Sequence, residues 1–134
     1  LRKEIRKKGN PEKIETYEQE RGEVVFSEID DYIVKNQKFL DPYLSLESLS
    51  EDLNKSTSSL SKLMNTHSGS NFSDYINKYR IEEARKLLGD PSFSAYTIVA
   101  IGLECGFNSK STFYTAFKKF TGVTPTIYRK EAAT

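Results

Sequence analysis

The sequence predicts an all-α fold, in which two helix-turn-helix subdomains are joined by a linker helix. One observation is that apolar residues recur three and four residues apart over most of the chain, the spacing of amphipathic helices. The other is an internal repeat, because one apolar stripe occurs twice at a nearly constant offset. The first copy is Leu46, Leu49, Leu53, Leu60, Leu63 and Met64, and the second is Ile98, Ile101, Cys105, Phe113, Ala116 and Phe117.

The N-terminal region divides into two parts. Residues 1–22 are dense in both charge signs and contain the helix breakers Gly9, Asn10 and Pro11, which predicts a charged linker or a marginal helix. Residues 23–44 predict an amphipathic helix that is stopped by Asp41 and Pro42 and packs on the first subdomain. The apolar residues of this helix are Val25, Phe26, Ile29, Tyr32, Ile33 and Leu40.

The first helix-turn-helix is predicted over residues 45–70. Ser45 is the expected cap of its first helix, Asn54 and Lys55 form the turn, and Ser56 or Thr57 caps its second helix. The second helix, predicted over 57–67, turns Leu60, Leu63, Met64 and His67 inward. Its opposite side, called here the first outer face, carries no carboxylate and consists of Thr57, Ser58, Ser61, Lys62 and Asn65.

A linker helix is predicted over residues 71–90. Asn71 is a suitable cap, and Gly89, Asp90 and Pro91 end the helix. A helix of ~18 residues is about 27 Å long at 1.5 Å per residue, which is comparable to one turn of duplex DNA, ~34 Å. The linker therefore suits a spacer between two units on one duplex.

The second helix-turn-helix is predicted over residues 91–134. Thr97 caps its first helix, Gly106 makes the turn, and Asn108 or Ser109 caps the second helix, predicted over 109–121. That helix turns Phe113, Ala116, Phe117 and Phe120 inward. Its second outer face consists of Lys110, Ser111, Tyr114, Thr115 and Lys118. Cations and hydroxyls without carboxylates suit a polyanion with readable edges, as in the major groove of DNA.

Three motifs resemble the AraC/XylS family of bacterial transcription regulators, over the DNA-binding domain that lies at their C terminus. They are LSLESLSEDLNKSTSSLSKLM, NFSDYINKYRIEEARKLL and TIVAIGLECGFNSKSTFYTAFKKFTGVTPTIYRK. The resemblance implies that the second helix of each subdomain enters one of two successive major-groove segments. It places base-contacting residues at Ser58, Ser61, Lys62, Lys110, Ser111, Thr112 and Thr115.

The chain departs from the family pattern at three places. Asn54 stands where the family usually has Gly in the first turn, a tolerable exchange. Gly102 stands where the family usually has Ala, and we expect Gly102→Ala to be neutral or stabilising by up to ~1 kcal/mol. Ser58 and Ser61 stand where longer base-contacting side chains are often found. Because serine contacts either base type, we expect the first subdomain to fix the position of the domain on DNA more than to select a base sequence.

Three further side chains have alternative interpretations. Tyr114 either contacts a thymine methyl or folds back over the core, and we favour DNA contact. Arg80 is expected to be a structural residue that bonds to helix termini. Arg129 either touches phosphate or has no role.

Neither a metal, a cofactor nor an enzymatic activity is predicted. The lone Cys105 excludes an internal disulfide and lies in an apolar stripe, as a buried hydrophobic residue does. The lone His67 has no Cys or carboxylate partner at ligand spacing. No cluster of His, Cys and paired carboxylates offers acid/base or nucleophilic chemistry.

The predicted partner is double-stranded DNA. The alternative function is a protein-interaction module that docks on RNA polymerase or another regulator. The net charge of +1 means that any positive field comes from local arrangement. The resemblance implies a sensing or dimerising region before this domain, and we expect the chain to be a fragment. No segment has the ~18 apolar residues of a membrane span, which favours a cytoplasmic, nucleoid-associated protein, although the basic start LRKEIRKK leaves a membrane-linked intact protein open.

Overall fold

The computed structural model describes residues 11–133, except for the side chains of residues 11, 14, 15 and 17. This part of the chain is all-α, which confirms the predicted fold class. Two short 3₁₀ turns, Lys38–Leu40 and Pro91–Phe93, interrupt the order of the helices. The helices are α1 (Pro11–Lys35), α2 (Leu46–Leu53), α3 (Thr57–Ser68), α4 (Phe72–Gly89), α5 (Ile98–Glu104), α6 (Lys110–Thr121) and α7 (Pro125–Ala132).

Helices α2 to α7 begin at side-chain caps, most of which the sequence predicted. Ser45 accepts a hydrogen bond from the Ser48 backbone N–H and donates its own backbone N–H to the Ser48 hydroxyl, a reciprocal capping box. Of the alternatives at the other two helix starts, Ser56 caps α3 and Ser109 caps α6. Each of these serines accepts the backbone N–H three residues on, a group that has no partner within the helix.

Helix α1 differs from its prediction at both ends. It begins at Pro11 instead of residue 23, so residues 11–22 are helical, as in the second of the two alternatives, and are continuous with the amphipathic helix. Proline suits a first helical position because its missing N–H would have no partner there. At the other end α1 stops at Lys35, Gln37 takes a left-handed conformation with φ 51°, and the 3₁₀ turn follows. The rest of the predicted linker, residues 1–10, lies outside the described residues.

Two hydrophobic cores share the linker helix α4. The first core is formed by α1, α2, α3 and the start of α4, and the second by the rest of α4 with α5, α6 and the Cys105–Phe107 turn. Tyr75 and Ile76 belong to the first core, whereas Ile81, Ala84 and Leu88 belong to the second. Each helix-turn-helix therefore has its own core, and α4 is continuous through both.

A polar contact ties α1 to α4 inside the first core. The hydroxyls of Tyr75 and Tyr79 both donate to Asp30 Oδ1, the latter over 2.5 Å. Burial and these bonds to a carboxylate raise the pKa of Tyr75, and they raise the pKa of Tyr79 to about 12. Both phenols therefore stay protonated and act as donors at neutral pH. This contact fixes how α1 lies on the linker helix.

Gly102 lies where α5 meets α6, as the sequence predicted for a small residue. An added Cβ would stand 2.5 Å from Phe113 Cδ2 and 2.8 Å from Phe113 Cγ. Phe113 is fully buried, so its ring has little room to retreat. The expectation that alanine is tolerated at position 102 is therefore wrong, because even one methyl group collides with the core.

Candidate nucleic-acid interface

The first outer face lies on α3 and is open to solvent. Thr57, Ser58, Lys62 and Asn65 are exposed, and Ser61 is half-buried. No acidic residue occurs in the first turn of α3, whose N–H groups and helix dipole favour negative charge. All of the predicted contacts of the first subdomain therefore lie on one helix, with Lys62 as the longest side chain.

The second outer face lies on α6. Lys110, Ser111, Thr115 and Lys118 are exposed. The predicted base contact Thr112 is also exposed, but its hydroxyl takes part in the cap, donating to the Ser109 carbonyl over 3.0 Å and lying 2.9 Å from Ser109 Oγ. Thr112 thus stabilises the start of α6 in addition to standing at its surface.

Tyr114 lies at the edge of the second outer face, against the core. Its ring packs edge-on against Phe113, and its hydroxyl is 3.0 Å from Thr126 Oγ1 of α7. The Lys110 ammonium sits 5.3 Å from the centre of the Tyr114 ring, within cation–π range. Tyr114 has both an apolar anchor and a bound hydroxyl, so the alternative in which it folds over the core describes its position. In that position its ring lies under the Lys110 ammonium.

An ion pair that the sequence did not indicate joins α6 to the linker helix. Lys119 Nζ contacts both carboxylate oxygens of Asp74, at 2.9 and 2.8 Å. The two residues are 45 positions apart, so only the tertiary fold brings them together. The pair offsets the Asp74 carboxylate, which lines the groove beside the second outer face. Within the described residues no ion pair offsets Lys110 or Lys118.

Two open grooves place a part of each outer face beside α4. One groove runs between α2, α3 and α4 and is lined by Ser61, Asn77 and Arg80, among others. The other runs between α4 and α6 and is lined by Asn77, Ser111 and Thr115, among others. Since Asn77 lines both grooves, the two outer faces flank one stretch of the linker helix.

The two arginines with open interpretations both bind backbone carbonyls. Arg80 donates from Nε to the Phe39 carbonyl over 2.6 Å and from Nη2 to the Asp41 carbonyl over 2.8 Å, the structural role expected of it. Arg129 donates to the carbonyls of Phe93 and Tyr96, each over 2.6 Å. Neither alternative considered for Arg129 matches this, because it holds the segment that precedes α5.

The remaining candidate residues have structural surroundings. Cys105 is buried in the second core, and burial raises the pKa of its thiol to about 12. His67 stacks on Phe26 of α1 with ring centres 5.8 Å apart. Among residues 11–133, no three His, Cys, Asp or Glu side chains are grouped so that they could hold a metal ion. No helix in the same range is long and apolar enough to cross a membrane.

Comparison with known proteins places this geometry in a family. A family model described as a helix-turn-helix domain matches residues 49–131. An uncharacterized HTH-type transcriptional regulator of Staphylococcus aureus (strain MSSA476) is 41% identical over 86 residues, which cover 64% of this chain and 11% of that protein. The chain therefore spans about a tenth of the length of this relative.

Solved structures share the fold. The C-terminal domain of AraT, a response regulator from Geobacillus stearothermophilus, is 34% identical, with a TM-score of 0.68 over 78% of this chain and 83% of that one. The DNA-binding domain of the global transcriptional factor AdpA, solved with a target DNA, is 20% identical, with a TM-score of 0.66 over 78% and 89%. From the family match and the paired helix-turn-helix subdomains, the chain belongs to the AraC-type helix-turn-helix family and is a DNA-binding domain of a transcription regulator.

Proposed function

We propose that α3 and α6 read two successive major-groove segments on one face of a duplex. The observation that carries this proposal is that two exposed, carboxylate-free helix faces flank the same stretch of α4. An α-helix fits the major groove, and cations and hydroxyls meet its phosphates and base edges. The complex of AdpA with DNA supports duplex DNA as the ligand of this fold.

In the second subdomain, Lys110, Ser111 and Thr115 are proposed to read bases. Tyr114 acts by orienting Lys110, whose ammonium lies over its ring. Thr112 stands beside them at the start of the helix, where its hydroxyl is shared with the cap. Lys118 lies toward the C-terminal end of the same face, three residues beyond Thr115, and contributes charge toward a phosphate.

In the first subdomain, Thr57, Ser58, Ser61 and Lys62 are proposed to contact DNA. Hydroxyl groups accept or donate to either base type, so this face carries less sequence information. Phosphate contacts fix the register of a protein on the duplex without specifying bases. The first subdomain therefore positions the domain, and the second supplies most of the specificity.

One chain is proposed to occupy one asymmetric site. Once one subdomain has bound, the linker helix holds the other near its own groove, which raises the local concentration of the second contact. Because α4 is continuous, the distance between the two contacts is nearly constant. No dimer is required for two adjacent half-sites.

The experiment is a selection of bound duplexes from a random pool, followed by gel-shift titration on the selected site. Inserting about five base pairs between the half-sites turns one of them to the opposite side of the duplex and should remove the gain from the second contact. Inserting about ten restores the side but exceeds the reach of the linker. Unchanged affinity after the five-base-pair insertion would show that only one subdomain binds DNA.

The intact protein is proposed to act with further partners. A preceding sensing or dimerising region is supported by the small share of the Staphylococcus relative that this chain covers. Contact with RNA polymerase is supported by Val99 and Leu103, which are 39% and 54% exposed and adjacent on one side of α5. Activity in the cytoplasm, on the nucleoid, follows from duplex DNA as the ligand.

The polymerase contact is tested with Leu103→Ser in the intact regulator. DNA affinity should stay at the parent value, because α5 carries none of the proposed base contacts, while transcription from a target promoter in vitro should fall. Val24→Ser, another exposed apolar residue but on α1, is the control. Equal transcription with both variants would exclude this surface.

A further inference from the structure

The two subdomains meet at a junction built around Arg80. The boundary between the cores falls on α4 between Tyr79, which packs on the first core, and Ile81, which is buried in the second. Arg80 lies between them and is half-buried. Toward the first subdomain, its guanidinium donates to the carbonyls of Phe39 and Asp41, at the end of the 3₁₀ turn that follows α1.

Toward the second subdomain, the same guanidinium lies against the turn of the helix-turn-helix. Its carbon is 5.8 Å from the centre of the Phe107 ring. Gly106, with φ 99°, brings the turn so close that an added Cβ would be 2.7 Å from the Phe39 carbonyl oxygen and 2.8 Å from Arg80 Nε. The turn of the second subdomain therefore rests on Arg80 and on the carbonyl to which Arg80 binds.

The junction lies where a small rotation would change the orientation of one outer face relative to the other. Helix α6 starts a few residues after Gly106, so a rotation of this turn relative to the 3₁₀ turn would swing α6 relative to α3. Among residues 11–133, α6 also has a polar contact with the first half of the linker helix, the Asp74–Lys119 ion pair. That pair is more exposed, and exposed pairs hold a geometry weakly.

We infer that Arg80 is a positioning residue for DNA recognition, which holds α3 and α6 at the one separation and rotation that fits two successive major-groove segments. The inference rests on the proposed two-segment reading. Arg80 touches no base. It acts by locking the second subdomain against the 3₁₀ turn of the first, so it determines which half-site spacing the domain prefers.

The chemistry of the side chain explains why arginine stands there. The Asp41 carbonyl also accepts the Leu44 backbone N–H over 3.2 Å, so Arg80 adds a second bond to it and supplies a bond to the Phe39 carbonyl. A planar guanidinium donates to both carbonyls at once while it lies over an aromatic ring. A lysine at position 80 would keep the charge, but its three donors leave from one nitrogen on a flexible stem, so it would fix neither the angle between the two carbonyls nor a planar face over the ring. The rigid fork is therefore what resists rotation at the junction.

The test measures spacing tolerance, which a purely structural role would leave unchanged. The 134-residue chain and its variants Arg80→Lys and Arg80→Met are titrated on the selected site, on each half-site alone, and on sites lengthened or shortened by about one base pair. Arg85→Met is the matched control. Arg85 lies on the same helix, but its guanidinium is exposed and bonds to Glu82. Circular dichroism and thermal unfolding establish that each variant is folded.

For the parent chain and Arg85→Met, we expect a preference for one spacing and a large gain of the full site over either half-site. For Arg80→Met, the affinity for each half-site should be unchanged. The affinity for the full site should fall by about tenfold, which is a part of the ~10²–10⁴-fold gain that a second linked contact brings. The preference for one half-site spacing should also flatten. Arg80→Lys should lie between them. A folded Arg80→Met that keeps the parent spacing profile would overturn the inference.

Failure of the proposed function looks different. If the parent chain binds the full site no better than a half-site, two-segment reading is wrong, whatever the Arg80 variants do. Gly106→Ala gives a second reading in case Arg80→Met does not fold, since it keeps the arginine in the sequence but its Cβ pushes the turn away from both the Phe39 carbonyl and Arg80 Nε. It should flatten the spacing preference in the same way, and a parent-like profile would again count against the junction.

Discussion

The two helix-turn-helix subdomains bury the inner face of their second helix against different neighbouring helices. In the first, the inner face of α3 packs on α1, a long helix that precedes the motif, with Ile29 and Ile33 in the core. In the second, α6 packs on α7, a short helix that follows the motif, and the core is aromatic, with Phe107, Phe113 and Phe117. The comparison indicates that the two helices of each motif do not complete a core by themselves. Each core also includes a neighbouring helix, which precedes the motif in one subdomain and follows it in the other.

The turns of the two subdomains differ for a related reason. Asn54 makes the first turn with φ 53° and is exposed, so a side chain is tolerated. Gly106 makes the second turn with φ 99°, is buried, and touches the backbone of residues 39 and 40. Asparagine adopts the left-handed conformation, but only glycine also allows such a close approach. The second turn is thus a contact surface as well as a turn.

The largest expected effect is on the aromatic core. Phe117→Ala should lower the free energy of unfolding by about 3–5 kcal/mol, because the side chain is fully buried and the cavity would not refill. Amide exchange should show that α5, α6 and α7 lose protection more than α2 and α3 do. Phe120→Ala, at a half-buried position on the same helix, is the control and should cost less. Equal loss of protection in both subdomains would contradict separate cores.

A second prediction compares Gly102 with Ser50, the corresponding position of the first subdomain. Gly102→Ala should destabilise by about 1–3 kcal/mol, because the new methyl group overlaps the Phe113 ring. Ser50→Ala should cost about 0.5–1.5 kcal/mol, through loss of the hydroxyl bond to the Lys55 carbonyl. Urea unfolding of the two variants decides. A Gly102→Ala variant more stable than the parent would mean that the Phe113 ring moves freely.

A third prediction concerns specificity. Lys110→Ala should cost about 1–3 kcal/mol of binding free energy on the selected site and relax the preference at one position, whereas Lys118→Ala should weaken all duplexes evenly and reduce the salt slope by ~1. Ser61→Ala in the first subdomain should change affinity more than sequence preference. Titrations on selected and random duplexes at two salt concentrations measure this. The base-reading role of Lys110 fails if both lysine variants lose affinity equally on the two duplexes.

The smallest expected effect is at the Asp74–Lys119 ion pair. Lys119→Met should change the free energy of unfolding by ~0–1 kcal/mol, because both side chains are partly exposed. Asp74 then loses its counter-charge beside the second outer face, so DNA affinity should fall through repulsion of phosphate. The double variant Lys119→Met with Asp74→Asn should recover much of that affinity. If the double variant binds as weakly as Lys119→Met, the loss comes from the lysine itself.

Local signals in the sequence were sufficient for most of the helix starts. Ser45, Asn71 and Thr97 are short polar residues directly before apolar stripes, and each caps its helix as expected. The start of α1 was missed because Gly9, Asn10 and Pro11 resemble a breaker, whereas the proline is the first residue of the helix. Gly22 lies inside α1 where the helix packs closely on His67, so that an added Cβ would be 2.7 Å from His67 Nε2.

The sequence by itself determined the order of helices, their inner faces, the two acid-free outer faces and the family, because these depend on residue spacing within one helix and on caps within four residues. Only the tertiary structure decided which partners the charged side chains take. Arg80, Lys119 and Arg129 each bind groups more than thirty residues away. The tolerance of Gly102 likewise depends on the distance to Phe113 on another helix. Such contacts follow from the packing of one helix against another, which no local pattern records.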